Sequence, residues 1–512
     1  MFAGTTAIAG VGATEFSKDS GRSELRLAVE AVTAALTDAG LAPADVDGLV
    51  TFTMDGNAEI AVARELGLRE LRFFSQVGYG GGAACGTVLH AALAVATGTA
   101  DVVVCYRALN ERSGRRFGQV AAGLAGVPTT AGTDNGWHYP AGLATPAAQV
   151  AMLARRYMHD YGATSEDFGQ VTVADRRHAA ANPAAWFYQR PVTLDDHQRS
   201  RLIAEPLRLL DCCQESDGAV AVVVTSLDRA RDLARRPAVI AAAAQGSGPG
   251  QFIMTSYYRD EMAALPEMGV VAGQLWRQAG VGPADVRTAV LYDHFTPYVL
   301  LQLEELGFCA RGEAREFIAG GAIELGGRLP LNPHGGQLGE AYIHGMNGIA
   351  EAVRQVRGTS VNQVPGDGPV LVTAGTGVPT SGLILALPSG PGPSGPRPRD
   401  RRCPATRAAG RRCAARRGRA AASRPAPAGA AARAAGGTAG LAGARERARS
   451  RSTARRSPVP PLPSLPRTPA RSRLRSSALT SPPLVSLFGF GEVHGPLFPG
   501  YAVTFPAPVA AG

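Results

Sequence analysis

The apolar positions of this chain fall into short unbroken runs closed by glycines or polar turns, the pattern of strands covered on both faces. "ADVVVCYRA" (100–108) reads as one such strand, and the "HAALAVATG" before it (90–98) as a helix stopped by glycine. "SDGAVAVVVTS" (216–226) opens with a tight turn and continues as a strand, and "PAVIAAAAQG" (237–246) predicts another. "GPVLVTAGTGVPTSGLILAL" (368–387) predicts a strand–loop–strand hairpin that closes the fold near Leu387. "IAEAVRQVRG" (349–358) has helical spacing and a glycine stop.

The pattern also repeats. "DAGLAPADVDGLVTF" (38–52) matches "QAGVGPADVRTAVLY" (278–292) at an offset of 240, with Pro-Ala-Asp-Val identical in both copies. Each copy predicts a helix end closed by Gly40 or Gly280, an Asp-containing turn and a short buried strand. A duplicated helix–turn–strand unit implies two related α/β halves, expected over 1–236 and 237–388.

Beyond residue 388 the periodicity stops. Residues 389–512 are rich in Pro, Ala, Arg and Gly and hold 22 arginines against three acids (Asp400, Glu446, Glu492). Such composition cannot bury a core, so a disordered tail is expected, and its abrupt loss of acids fits an out-of-frame extension. The formal net charge of +10 belongs to this tail, because residues 1–388 carry 30 basic and 39 acidic side chains. The body is thus acidic, with no electrostatic case for a nucleic-acid partner.

Seven cysteines (85, 105, 212, 213, 309, 403, 413) form no CxxC pair and no disulfide-framework spacing, so no metal is expected. No basic segment precedes an apolar stretch at the N-terminus, and no apolar run nears 18 residues. These features place the body in the cytoplasm with no membrane span. Lys18 is the only lysine of the chain. A P-loop and a Schiff-base mechanism both require a lysine at the substrate, so both are excluded unless Lys18 reaches the site.

With the repeat, "SDGAVAV" and "NPHGG…EAVRQVRG" in view, the body resembles the thiolase superfamily, and within it the sterol-carrier-type and lipid-transfer-protein branch. The resemblance covers most of residues 5–388. It implies a five-layer αβαβα body of two pseudo-symmetric halves, usually a dimer. It also implies a cysteine nucleophile at the start of a helix, a histidine on each of two loops and a second cysteine. Here Gly81 of "GYGGGAACGTVLH" falls at the nucleophile, with Cys85 one helical turn deeper. Tyr292 of "LYDHFTP" and Tyr342 of "LNPHGGQLGEAYIHG" fall at the two histidines, and Thr373 at the second cysteine. All four positions depart from the acyl-transfer pattern.

Two tyrosines on these loops instead resemble the steroid side-chain-cleaving aldolase branch. That resemblance implies a substrate with a 17-hydroxyl and a branched acyl-CoA side chain, and products that are a 17-ketosteroid and propionyl-CoA. It further implies no cofactor, acyl-CoA being the substrate, and an OB-fold/zinc-ribbon partner with a homodimer inside a heterotetramer. Retro-aldol cleavage needs a base for the β-hydroxyl, a sink for the enolate and an acid to quench it. Tyr292 and Tyr342 are the expected proton-transfer pair. A free phenol titrates near 10, so Asp293, His294 or His344 is expected to activate it, and His344 or Asn347 to orient a phenol or bind the enolate oxygen or acyl-CoA. His334 is expected to shape its turn. His138 and the aromatic cluster Trp186, Phe187 and Tyr188 read as loop packing or as a substrate flank. Two other readings are a thiolase or acyltransferase using Cys85, and a non-catalytic acyl-CoA-binding subunit.

Overall fold

The computed structural model describes residues 2–388 apart from 79, 115, 117, 119–137, 253 and 376–379. The tail expected beyond 388 and most of the segment before His138 lie outside the described residues.

Among the described residues, nine strands form one mixed sheet: β1 (Thr6–Ala13), β2 (Gly48–Phe52), β3 (Phe73–Val77), β4 (Val102–Asn110), β5 (Asp217–Ser226), β6 (Ala238–Gly246), β7 (Thr288–Val290), β8 (Val370–Ala374) and β9 (Thr380–Ala386). Their order is β3-β2-β4-β5-β1-β6-β9-β8-β7. The sheet is two half-sheets joined at β1 and β6, where only Ala7↔Val239 and Ile8↔Ala238 pair. From that seam outward the halves follow one scheme. β1 meets β5 and β6 meets β9 antiparallel, and β5–β4 and β9–β8 are antiparallel too. β4–β2 and β8–β7 are parallel. The register obeys the sequence repeat: Gly48, Leu49 and Val50 pair with β4 as Thr288, Ala289 and Val290, each 240 further on, pair with β8. The outermost strand is the exception. β3 runs for five residues, while its counterpart beside β7 shrinks to a single parallel bridge, Ala289↔Leu331.

Among the described residues, three large hydrophobic cores and a small fourth one (Ala7, Ala9, Ala39 and Ala230) separate the layers. Helix α1 (Glu24–Ala39) starts at Ser23, whose hydroxyl accepts the Arg26 N–H, and ends at Gly40 in the left-handed region. Its face Leu27, Ala31, Val32, Ala35 and Leu36 covers Val102, Val104 and Tyr106 of β4, together with α2 (Glu59–Leu66). The alternate β4 residues Val103 and Cys105 point the other way, onto α3 (Ala84–Ala96). Close approach of α1 to β1 requires glycine: a Cβ on Gly12 would lie 2.2 Å from the Ala31 carbonyl oxygen. In the second half, α6 (Pro266–Ala279) ends at left-handed Gly280 and lies with α4 (Pro146–Tyr161), α5 (Ser165–Ala181) and α7 (Thr296–Glu305) on the outer face. Between the half-sheets, α3 and α8 (Met346–Arg357) share one core with residues of both. The result is helix, sheet, helix, sheet, helix: the five layers expected. No helix among the described residues is long and apolar enough to cross a membrane.

Candidate functional site

The two tyrosines come from turns that face each other across the N-terminus of α3. Tyr292 lies two residues past the end of β7, in the short link to α7. A closed ring of hydrogen bonds fixes its backbone. Its N–H donates to Thr373 Oγ1 on β8 (3.0 Å), the Thr373 hydroxyl donates to Gln302 Oε1 on α7 (2.6 Å), and Gln302 Nε2 returns to the Tyr292 carbonyl (2.9 Å). Thr373, at the second-cysteine position, therefore acts as a brace. We expect Thr373→Val, which keeps the shape but orphans the Tyr292 N–H and Gln302 Oε1, to cost about 1–3 kcal/mol of stability. A urea midpoint that fell with unchanged slope would show it.

Tyr342 sits in the turn between the short helix Gly336–Gly339 and α8. Its N–H donates to Ser216 Oγ (3.1 Å), and the following His344 and Gly345 take φ of 50° and 87° to turn the chain into α8. The outcome is that Tyr292 Oη lies 3.1 Å from Tyr342 Oη, with the ring planes 58° apart.

Gly81 explains how the phenols fit. A Cβ on Gly81 would lie 1.7 Å from Tyr292 Oη and 2.2 Å from Cζ. The Tyr292 hydroxyl thus occupies the space into which a side chain at the nucleophile position would project. Cys85 does not take over that role. It is fully buried, its Sγ lies 3.8 Å from the Val372 carbonyl oxygen, and burial pushes its thiol far up.

The neighbours differ from the expected activators. Burial pushes both phenols well above their ordinary range, so both are neutral at pH 7. His294 stacks on Tyr298 (4.8 Å, 10°), lies 4.7 Å from the Tyr292 ring, and burial pushes it down to about 3. His344 meets Tyr342 edge-on at 5.1 Å, and burial holds it well below its usual range. Its Nδ1 accepts from Arg107 Nε (3.1 Å), which leaves the proton on Nε2. Neither imidazole carries the positive charge that would lower a phenol pKa. Asp293 is a structural brace: its carboxylate accepts the Gln337 and Leu338 N–H groups (2.8 and 3.1 Å) and a hydrogen bond from Asp175, whose carboxyl burial pushes well up. Asn347 spends its amide N–H groups on Glu340 Oε2 and the Ala341 carbonyl (3.0 Å each), so it has none left for an enolate oxygen.

His334 is buried and pushed down to about 3 by burial, its carbonyl accepting from Asn182 inside the turn. His138 packs on Tyr257, ring centroids 4.6 Å apart. The Trp186 and Phe187 N–H groups dock on the Glu340 and Gly339 carbonyls (2.9 and 3.3 Å), while Tyr188 is exposed.

Several site residues escape sequence reasoning. Arg107 is 1 % exposed, pairs with Asp55 at 2.9 Å and braces His344. The available signal was an arginine inside an otherwise apolar strand. Lys18, set in a polar segment, delivers its Nζ to Gln214 Oε1 (2.8 Å) and the Glu215 carbonyl (2.5 Å), two residues short of Ser216 and Asp217. No group of three His, Cys, Asp or Glu among the described residues is placed to hold a metal ion.

Two hydrogen-bonded neutral phenols can take up a proton at one oxygen and release one from the other without forming a free ion. Residues 6–228 match the family described as thiolase, N-terminal domain, and residues 255–387 the thiolase C-terminal domain-like family. The chain is 72% identical over 385 residues to the 17-hydroxy-3-oxo-4-pregnene-20-carboxyl-CoA lyase of Mycobacterium tuberculosis, covering 75% of this chain and 100% of that protein. It is 70% identical over 386 residues to the steroid side-chain-cleaving aldolase of Thermomonospora curvata, covering 75% and 98%. A solved structure described as an Ltp2-ChsH2(DUF35) aldolase is 68% identical, superposes with a TM-score of 0.72, and covers 76% of this chain and 99% of its own.

Proposed function

The chain belongs to the thiolase superfamily, and from that premise we infer that it is a carbon–carbon lyase that removes the acyl-CoA side chain of a steroid. It acts as a retro-aldolase on a β-hydroxyacyl-CoA, the arrangement present when carbon 17 bears a hydroxyl and carbon 20 bears the thioester. The products are a 17-ketosteroid and propionyl-CoA. The observation that carries this reading is the 3.1 Å contact between the Tyr292 and Tyr342 hydroxyls, with Gly81 making room for it where acyl transfer would need a thiol.

The step balances without a cofactor beyond the CoA carried by the substrate. The 17-hydroxyl gives its proton to one phenol as the bond between the α- and β-carbons breaks. The oxygen becomes a ketone, and the electron pair of the broken bond becomes a thioester enolate. The other phenol gives its proton to the α-carbon, and the hydrogen bond between the two hydroxyls makes good the difference. Both tyrosines are neutral before and after, which fits the burial that keeps them un-ionised. His344, fixed by Arg107, and His294, packed on Tyr292, orient the rings. Acyl transfer through Cys85 has no comparable support, because that thiol is sealed in the central core.

We propose a partner protein of the OB-fold/zinc-ribbon type and a homodimer inside a heterotetramer, acting in the cytoplasm. The name of the solved relative, with two components, supports a partner. β3 supports self-association: it pairs only with β2 among the described residues, and Phe74 on it and Ile60 on α2 are 65% and 69% exposed. The halves 1–236 and 237–388 act as one catalytic body in this reading, with Gly81 from the first and both tyrosines from the second.

The test is to incubate the full chain with 17-hydroxy-3-oxo-4-pregnene-20-carboxyl-CoA, with and without the partner, and follow both products. Equimolar 17-ketosteroid and propionyl-CoA are expected. Turnover that required free CoA, or none at all in the presence of the partner, would sink the lyase reading.

A further inference from the structure

Behind the tyrosine pair, four polar side chains that the mechanism above does not use converge from distant parts of the chain: Lys18, Glu111, Cys213 and Glu215. Glu111 extends the ladder of β4 and β5 by one pair, its N–H donating to the Ser216 carbonyl (3.3 Å) and its carboxylate accepting from the Ser216 backbone. Ser216 also holds the backbone of Tyr342 through its hydroxyl. Glu111 is 4% exposed, and its Oε2 is buried with no hydrogen-bond partner. Glu111 lies four residues beyond Arg107, one past the end of β4, and Arg107 acts on its carboxyl. A charge on Glu111 acts on both Tyr292 and Tyr342. Lys18 acts on Glu111, its Nζ hydrogen-bonded as above and 5.2 Å from the centroid of Trp186.

We propose that Glu111, linked to Tyr342 through Ser216, is a positioning residue of the cleavage step: its buried carboxyl sets the charge that the tyrosine pair meets as the enolate forms, and adds no second anion to that of Asp293. The reasoning rests on the tyrosine-pair reading. Bond cleavage delivers an electron pair to the thioester, and a second buried carboxylate acting on the same tyrosines would repel it at low dielectric. Burial pushes the Glu111 carboxyl well above its usual range, Glu215 reinforces this, and the Ser216 N–H, Arg107 and Lys18 oppose it. The other groups facing the cluster among the described residues are Cys213, kept as a thiol by burial, Arg112, Arg116, which pairs with Glu215 at 2.6 Å, and Asp293. Lys18 itself is pushed down to about 8 by burial against the pull of Glu111, Cys213 and Glu215. As a carboxyl with a raised pKa, Glu111 is in its working form at low pH and leaves it as pH rises. Activity should therefore fall on the alkaline side.

The experiment is a pH profile of kcat for the full chain with its partner, comparing wild type with Glu111→Gln, Lys18→Met and Lys18→Arg. Glutamine is the neutral isostere, so Glu111→Gln should move the alkaline limb upward by about one pH unit or more, with KM little changed. Removing the cation raises the Glu111 carboxyl further, so Lys18→Met should move the limb the same way, while the permanent charge of Lys18→Arg should move it down. A Glu111→Gln profile with the wild-type limb overturns the proposal. If Glu111→Gln does not fold, the two lysine variants decide: opposite shifts uphold the proposal and coincident profiles overturn it. Tyr342→Phe in the same assay separates the two readings. An inactive Tyr342→Phe beside an unchanged Glu111→Gln profile removes only the role of Glu111, whereas an active Tyr342→Phe removes the relay itself.

Discussion

Tyr292→Phe and Tyr342→Phe should each lower turnover by about 10²–10⁴-fold while leaving KM close to its starting value. Phenylalanine keeps the ring, and with it the 4.7 Å packing of residue 292 on His294 and the edge-on contact of residue 342 with His344. Only the hydroxyl goes, and with it one end of the 3.1 Å hydrogen bond. A proton cannot enter at one oxygen and leave at the other when either is missing, so the double variant should be hardly worse than each single one. Additive losses, or near wild-type cleavage by both single variants, would show the phenols acting separately or not at all. Circular dichroism and size-exclusion profiles matching wild type are the control that the body is intact.

Gly81→Ala should be nearly as damaging, although it adds only one methyl group and removes no polar atom of the reaction. The new Cβ would sit 1.7 Å from Tyr292 Oη, so the phenol must swing away from Tyr342. A displacement of this size in a proton-carrying group is expected to cost about 10²-fold in turnover, and overpacking about 1–3 kcal/mol in stability. Combining it with Tyr292→Phe gives an internal check. Removing the hydroxyl relieves the clash, so stability should recover while activity stays lost. Wild-type turnover by Gly81→Ala would mean that Tyr292 is free to move and that its contact with Tyr342 is not the working geometry.

The fold was readable because its signals are local. Each buried strand is a contiguous apolar run, and the copy of "PADV" carries the register of one half-sheet onto the other at an offset of 240. The fifth strand of the second half has no such run, and only Leu331 bridges there. The two tyrosines were legible because each sits in a short turn next to a recognisable strand or helix. Arg107, Asp55, Glu111 and Lys18 were not, because they meet only through the order of strands β2, β4, β5 and β1. The hydrogen bonding of Asn347 was hidden for another reason: sequence names an amide but not which of its hydrogens Glu340 and Ala341 already hold. Burial, likewise invisible in sequence, turns the expected activating residues into neutral ones.

The interlock of Gly81 with Tyr292 also constrains the routes by which one chemistry can be exchanged for the other. With a side chain at 81 there is no volume for the phenol, and with the phenol in place there is none for a thiol. Installing cysteine at 81 alone therefore yields a crowded nucleophile, and exchanging Tyr292 for histidine alone yields a site without either apparatus. Each single step is expected to fall below both endpoints, so exchange in either direction is expected to need both positions changed together. A glycine whose importance lies in the space it leaves empty thus couples positions 81 and 292 in both directions of exchange.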